Sequence, residues 1–229
     1  MKIQLFIPPQ GYVAQRWAEG NSMPSLGILF LAAVLEQKGI DVDVVPADIL
    51  KYGPQDIAAR IESFSPDILG VTTTTENRFD SFNLVKIAKE VNPNIVTILG
   101  GPHISMAKED TIAHIKEVDI LSIGEGEKTI LNLAAAVEKG FPLSNVRGLY
   151  YREAAGKAVF TGNQEIVDSI DELPFPARHL IPMEKYRFIV ETRDGRKRKA
   201  QNIITSRGCP FNCYFCSTPV NWGRKMRGH

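Results

Sequence analysis

SLGILFLAAVLEQKGIDVDVVPAD, residues 25–48, changes its hydrophobic pattern once, and that change indicates the fold class. Ser25–Lys38 is apolar on nearly all sides and is followed by Gly39, a residue favoured just after the last turn of a helix. Asp41–Asp48 then alternates apolar and polar residues, as a strand does. The stretch therefore predicts a buried helix that leads directly into a strand.

The same alternation of strand and helix continues over the first 140 residues. Further strands are predicted at Lys2–Pro8, Asp67–Thr75, Asn94–Gly101 and Asp119–Glu127. Further helices are predicted from Pro54 through Phe64, at Phe79–Val91 and at Lys128–Lys139. Strands that alternate with helices in this way form βαβ units with a parallel sheet. We predict an α/β fold: a doubly wound, flavodoxin- or Rossmann-like domain of five parallel strands in the order 2-1-3-4-5.

The pattern changes after Gly140. Val146–Gly162 predicts two strands around a glycine-containing turn, and Asp171–Pro182, with three prolines, predicts an irregular linker. Arg187–Cys209 predicts two strands joined by an Asp-Gly turn, with the segment Asn202–Ser206 as the strand before the cysteines. We therefore divide the chain into residues 1–140, 141–199 and 200–229.

Composition and charge exclude several classes of function. The net charge is +1, which gives no argument for nucleic acid as a partner. The longest apolar run, Leu26–Leu35, is half the roughly 20 residues that span a bilayer. The basic run Arg193–Lys199 has no interleaved aromatic residues and is interpreted as a solvated hairpin tip. Clustered cysteines without a paired framework favour a reducing cytoplasm.

The carboxyl ends of the predicted parallel strands should form a ligand cleft, because ligands of open parallel sheets bind there. These ends are rich in Gly, Pro, Thr and His, which allow close backbone approach and offer short hydrogen-bonding groups. Turn chemistry alone is the alternative for each of them. We assign ligand contact to Gly124–Gly126 and a first-turn helical position to Glu127. An acidic phosphorelay site is excluded, since Pro8, Pro9 and a run of threonines occupy the positions it needs.

All three cysteines lie in one short segment, with the spacing C-x3-C-x2-C at Cys209, Cys213 and Cys216. Structural zinc sites close with four ligands, and only the terminal His229 is offered as a fourth. Iron–sulfur clusters are held by thiolates, and three of them leave one iron open to a small molecule. We favour a cluster over zinc or bystander thiols.

The segment CPFNCYFC resembles the cluster motif of radical S-adenosylmethionine (SAM) enzymes, with Phe215 at its aromatic position. The resemblance implies that Cys209, Cys213 and Cys216 hold a [4Fe–4S] cluster, that SAM binds the fourth iron, and that Phe215 contacts SAM. It also implies reductive cleavage of SAM to a 5′-deoxyadenosyl radical, with an external electron donor of the flavodoxin or ferredoxin type.

Residues 1–140 are similar to the cobalamin-binding domain that precedes the radical SAM barrel in one subgroup. The features that match are Pro8-Pro9 with Gly11, the helix of Pro24–Gly39, the threonines after strand three, GGPH and GEGE, and the linker Glu172–Leu180 resembles the joint of that subgroup. The D-x-H-x-x-G motif that supplies a histidine to cobalt elsewhere is absent. The resemblance implies that cobalamin contacts Pro9, Gly11, Thr73, Thr74, Gly100, Gly101, Pro102, His103, Gly124, Glu125 and Gly126.

The sequence thus predicts the amino-terminal part of a cobalamin-dependent radical SAM enzyme, with methyl transfer to an unactivated carbon, or a related rearrangement or cyclisation, as its reaction. Such a barrel has about six βα units, so we expect a truncated chain that binds cobalamin with little or no turnover. The alternative is a stand-alone corrinoid-binding module with a vestigial or zinc-binding cysteine tail. No pattern in the sequence assigns the substrate or a catalytic residue.

Overall fold

A seven-stranded sheet is the centre of the fold. The computed structural model describes residues 1–9, 22–153, 156–164 and 166–228. The strands lie in the order β2-β1-β3-β4-β5-β6-β7, and β1 to β5 are parallel, which confirms the predicted fold class and order. Their bounds are Lys2–Ile7 (β1), Asp41–Pro46 (β2), Ile68–Thr72 (β3), Val96–Gly100 (β4), Ile120–Ser122 (β5), Leu149–Arg152 (β6) and Ala158–Phe160 (β7).

Helices cover both faces of the sheet. Side chains alternate between the two faces along each strand. Ile3 and Leu5 of β1 therefore join one apolar cluster and Phe6 joins the other. Within the described ranges the helices are Leu26–Gln37 (α1), Ala47–Leu50 (α2), Pro54–Phe64 (α3), Arg78–Val91 (α4), Pro102–Met106 (α5), Lys108–His114 (α6), Glu127–Lys139 (α7) and Thr218–Trp222 (α8). Helices α1 and α7 pack on the first face and α3 and α4 on the second.

The sheet has two more strands than the five predicted. The hairpin β6–β7 was recognised as a pair of strands, but the structure joins it antiparallel to β5, with Ile120 opposite Tyr151. An open edge strand has unpaired backbone groups, and the hairpin satisfies those of β5. The short helices α2, α5 and α6 had no counterpart in the predicted elements.

The proline-rich segment packs against the sheet domain. Its backbone forms short 3-10 turns, as at Arg178–Leu180, and the Ala177 N–H donates to the Leu29 carbonyl over 3.0 Å. Ala177, Ile181 and Tyr186 are buried in the same apolar cluster as α1. The segment is irregular, as predicted, and its apolar side chains complete the core.

The last part of the chain contains two small antiparallel ladders. Ile189–Glu191 (β8) pairs with Lys197–Lys199 (β9), and the basic tip between them is exposed, as predicted. Ser206–Arg207 (β10) pairs with Arg227–Gly228 (β11). The predicted strand Asn202–Ser206 is wrong except for its last residue, because the remainder lacks a strand partner. In the part of the chain that is described, no helix is long and apolar enough to cross a membrane.

Candidate functional site

A cavity of about 510 Å³ lies at the carboxyl ends of the parallel strands. Seven of the residues predicted to contact cobalamin line it: Thr74, Gly100, Gly101, Pro102, Gly124, Glu125 and Gly126. Leu5, Gly70 and Ile98 form the floor, and Ile28 and Leu31 of α1 form one side. The sheet thus brings residues from three separate strand-to-helix connections to a single mostly apolar site.

Residues near the cysteines form the opposite wall. Arg207 and Trp222 line the cavity together with Ile204, Ser217, Thr218 and Asn221. Reasoning from the sequence missed this wall, since Arg207 and α8 carry no local pattern that indicates a cavity. Their position directly before and after the cysteines was the only available signal.

Gly101 permits the close approach of the β3 and β4 ends. Its φ is +102°, and a Cβ atom there would lie 2.8 Å from the carbonyl oxygen and 3.0 Å from the nitrogen of Thr73. L-residues rarely adopt this backbone conformation, and two backbone atoms cannot move aside as a flexible side chain would. A glycine at this position is therefore a geometric requirement of the cavity edge.

The neighbouring polar residues divide into lining and buried groups. Thr74 lines the cavity, whereas Thr73 is fully buried and its Oγ1 has no hydrogen-bond partner. His103 lies beside the cavity with its Nδ1 3.1 Å from Thr75 Oγ1, and burial, with the Arg78 charge, lowers the pKa of His103. Pro9 is half-buried and outside the lining, and Gly11 lies outside the described residues.

Two buried ion pairs connect the GEGE segment with the cysteine region. Glu125 Oε1 lies 2.5 Å from Arg227 Nη2, and Glu127 Oε1 lies 2.7 Å from Arg207 Nη2. A weaker contact of 3.8 Å joins Arg207 to Glu125. Glu127 is the first residue of α7, as predicted, but its carboxylate also neutralises a buried guanidinium. The two acids and two arginines leave the cavity wall without net charge.

The cysteines lie on the loop between β10 and α8. Cys209 and Cys216 are half-buried, Cys213 is exposed, and all three are free thiols. Within the described ranges, no three His, Cys, Asp or Glu side chains lie close enough together to hold a metal ion. Hydrogen bonding with the side chain and backbone of Thr218, whose Oγ1 is 3.2 Å from Cys216 Sγ, lowers the pKa of that thiol. Phe215 is 93% exposed. The metal and SAM assignments on this loop stay predictions.

Comparison with known sequences identifies the sheet domain. Residues 19–134 match the family model described as the B12 binding domain. An uncharacterized methyltransferase of Pyrococcus horikoshii is 37% identical over 229 residues, which are 100% of this chain and 48% of that protein. The anaerobic magnesium-protoporphyrin IX monomethyl ester cyclase of Rubrivivax gelatinosus is 33% identical over 95% of this chain and 39% of its own length. The chain spans half or less of the length of these relatives.

Solved structures with the same fold include two named as SAM radical enzymes. OxsB, with aqua-cobalamin and SAM bound, superposes with a TM-score of 0.79 at 19% identity, over 99% of this chain and 29% of OxsB. TsrM from Kitasatospora setae, with tryptophan and a SAM analogue bound, gives a TM-score of 0.72 at 18% identity over 99% of this chain and 43% of its own. At these identities the likeness establishes the fold of nearly the whole described chain.

Proposed function

This chain belongs to the B12-binding-domain family, and on that premise we propose that it is the amino-terminal, cobalamin-binding part of a cobalamin-dependent radical SAM enzyme. In this proposal residues 1–140 bind cobalamin and residues 200–229 hold the cluster. Residues 141–199 connect the two, and their first hairpin completes the sheet.

The observation that carries the proposal is the cavity at the carboxyl ends of the strands. Its glycine edge at Gly101 leaves space where a side chain would collide with backbone, and its floor is apolar. Its carboxylates are already paired with arginines, so a large ligand with little charge meets no uncompensated group. These features fit part of a cobalamin molecule. Gly100, Gly101, Pro102 and Gly124–Gly126 would hold it, with Thr74 as a hydrogen-bonding group.

The cysteine loop supplies the second half of the proposal. Three thiols on one loop match the donor chemistry of an iron–sulfur cluster with one open iron. Cys209, Cys213 and Cys216 would hold the cluster, and Phe215 would contact SAM. When bound, the cluster and SAM would supply a radical derived from SAM, and cobalamin would carry a methyl group. The cluster would receive its electron from a donor of the flavodoxin or ferredoxin type.

The names of the relatives indicate the class of reaction. One matched protein is named a methyltransferase and another a cyclase that acts on a porphyrin ester. We propose methyl transfer to an unactivated carbon, or a related cyclisation, as the reaction of the whole enzyme.

Cobalamin binding is tested with the chain as it stands. The protein is incubated with hydroxocobalamin and passed over a gel-filtration column, and co-elution of protein with the corrinoid absorbance is expected. Glu138→Gln, an exposed carboxylate at the far end of α7, is a matched variant that should bind equally well. Cobalamin that elutes entirely apart from the wild-type protein would contradict the assignment.

Cluster binding is tested separately by anaerobic reconstitution with iron and sulfide. The wild-type chain should acquire broad visible absorption and bound iron, and the variant with Cys209, Cys213 and Cys216 all replaced by Ala should acquire neither. Absorption that survives this triple replacement would exclude the loop as the cluster site. Cobalamin binding without any cluster would support the alternative, a corrinoid-binding module.

A further inference from the structure

Four buried charged side chains connect the sheet domain with the cysteine region; we call Glu125, Glu127, Arg207 and Arg227 the carboxylate clamp. Arg227 is held by both oxygens of Glu125, with Nη1 3.1 Å from Oε2 and Nη2 2.5 Å from Oε1. Arg207 is held by Glu127 over 2.7 Å. The acids lie at the amino end of α7, and the arginines lie 80 and 102 residues further along the chain.

The clamp is shielded from water. The side chains of Glu125 and Arg227 are each 2% exposed. The Arg207 guanidinium carbon lies 5.2 Å from the ring centre of Phe30 and 5.9 Å from that of Trp222. A buried ion pair adds little stability relative to apolar residues, but removal of one partner leaves a buried charge without compensation. Each carboxylate therefore determines whether its arginine can remain in this position.

The arginines lie at the two ends of the cysteine loop. Arg207 in β10 is directly opposite Arg227 in β11, and the chain between them, residues 208–226, contains all three cysteines and α8. Arg227 Nη2 also donates to the Trp222 carbonyl over 2.9 Å, which fixes the carboxyl end of α8. Contacts that hold Arg207 and Arg227 in place therefore also hold both ends of the cysteine loop and α8, which forms part of the second wall of the cavity.

We propose that Glu125 and Glu127 are positioning residues that anchor the cysteine loop and α8 against the cavity through Arg227 and Arg207. The inference extends the proposed function, since it makes one wall of the cofactor cavity depend on two carboxylates of the other wall. Without the carboxylates, the segment 206–228 detaches while the seven-stranded sheet stays folded.

The test uses Trp222 as a reporter of this attachment. The chain has two tryptophans, so a Trp17→Phe background leaves Trp222 as the single one. Glu127→Gln in this background should shift the emission to longer wavelength and raise acrylamide quenching about twofold or more, as expected for local opening. Glu127→Asp keeps the charge and should recover most of the protection. Glu138→Gln, on the same helix, should match the background protein.

Hydroxocobalamin binding and far-ultraviolet circular dichroism complete the experiment. Glu127→Gln should weaken binding roughly tenfold or more while the helical signal is retained. The quenching of Trp222 is measured in the absence of cobalamin. It therefore tests the carboxylate clamp even if the wild-type protein does not bind cobalamin. Trp222 quenching in Glu127→Gln equal to that of the background protein would overturn the proposal.

A double variant covers the case in which the single variant does not fold. Glu127→Gln with Arg207→Met leaves no buried charge alone in this pair, so the sheet should fold again. The clamp predicts that Trp222 is then more accessible than in the background protein. Trp222 as well protected as in that protein would show that apolar packing alone positions the loop.

Discussion

Replacement of Gly101 by alanine measures how tightly the edge of the cavity is built. The backbone at Gly101 has φ +102° and ψ −178°, a region that costs other residues about 1–3 kcal/mol. The added Cβ would lie 2.8 Å from the Thr73 carbonyl oxygen, which accepts from the His103 N–H over 3.2 Å. Displacement of Thr73 weakens that bond, at a cost of about 1 kcal/mol more. The expected loss of unfolding free energy is about 2–4 kcal/mol.

Thermal unfolding followed by circular dichroism is the assay, and Gly140→Ala is its matched control. Gly140 also has a positive φ, +69°, but no atom lies within 4 Å of an added Cβ. That variant should lose about 1 kcal/mol from backbone strain alone. For a chain of this size, about 2–4 °C is lost per kcal/mol. Equal melting temperatures for the two variants would refute the argument that Thr73 blocks a side chain at Gly101.

Two further predictions concern buried polar groups. Burial raises the pKa of Asp48 to about 6, so the folded state holds this proton more tightly than the unfolded state; stability should fall as pH rises from about 4 to 6, by at most about 3 kcal/mol. The unfolding free energy of Asp48→Asn, measured with urea at about pH 4 and pH 6, should lack this part of the pH-dependent change. A difference between the two pH values as large as that of the wild-type protein would contradict the prediction. Thr73→Val removes a buried hydroxyl without a partner and should raise stability by up to about 1 kcal/mol. Thr97→Val removes a hydroxyl that donates to the Glu117 carbonyl over 2.6 Å, and it should lower the free energy of unfolding by about 1–3 kcal/mol. A change of the same sign in Thr73→Val and Thr97→Val would contradict this prediction.

The sheet was predictable from the sequence because its signals are local. The helix of residues 26–37 is apolar on nearly every side and ends just before Gly39, and each parallel strand alternates with a helix, which indicates the fold class. The addition of the hairpin β6–β7 was not predictable, since its alternation is the same whether it pairs with β5 or stands alone. The predicted strand at Asn202–Ser206 failed for the reverse reason, because a strand pattern needs a neighbour to bond with.

The site was predictable only in part, for a similar reason. Glycines after strands indicate a cleft, and Gly100, Gly101 and Gly124 do line it. The pairing of Glu125 with Arg227 joins residues 102 positions apart, and no local pattern reports such a contact. Cys209, Cys213, Cys216 and Phe215 remain predictions that rest on spacing.

The sequence separation within the carboxylate clamp has a consequence for synthesis on the ribosome. Glu127 and Glu125 emerge 80 and 102 residues before the arginines that neutralise them. At roughly 5–20 residues per second, about 4 to 20 s pass between them. During that interval the nascent sheet can form, but both carboxylates remain hydrated at its edge. The cavity is therefore completed only after residues 207–227 have been synthesised, and a large ligand that binds earlier would meet only one of its walls.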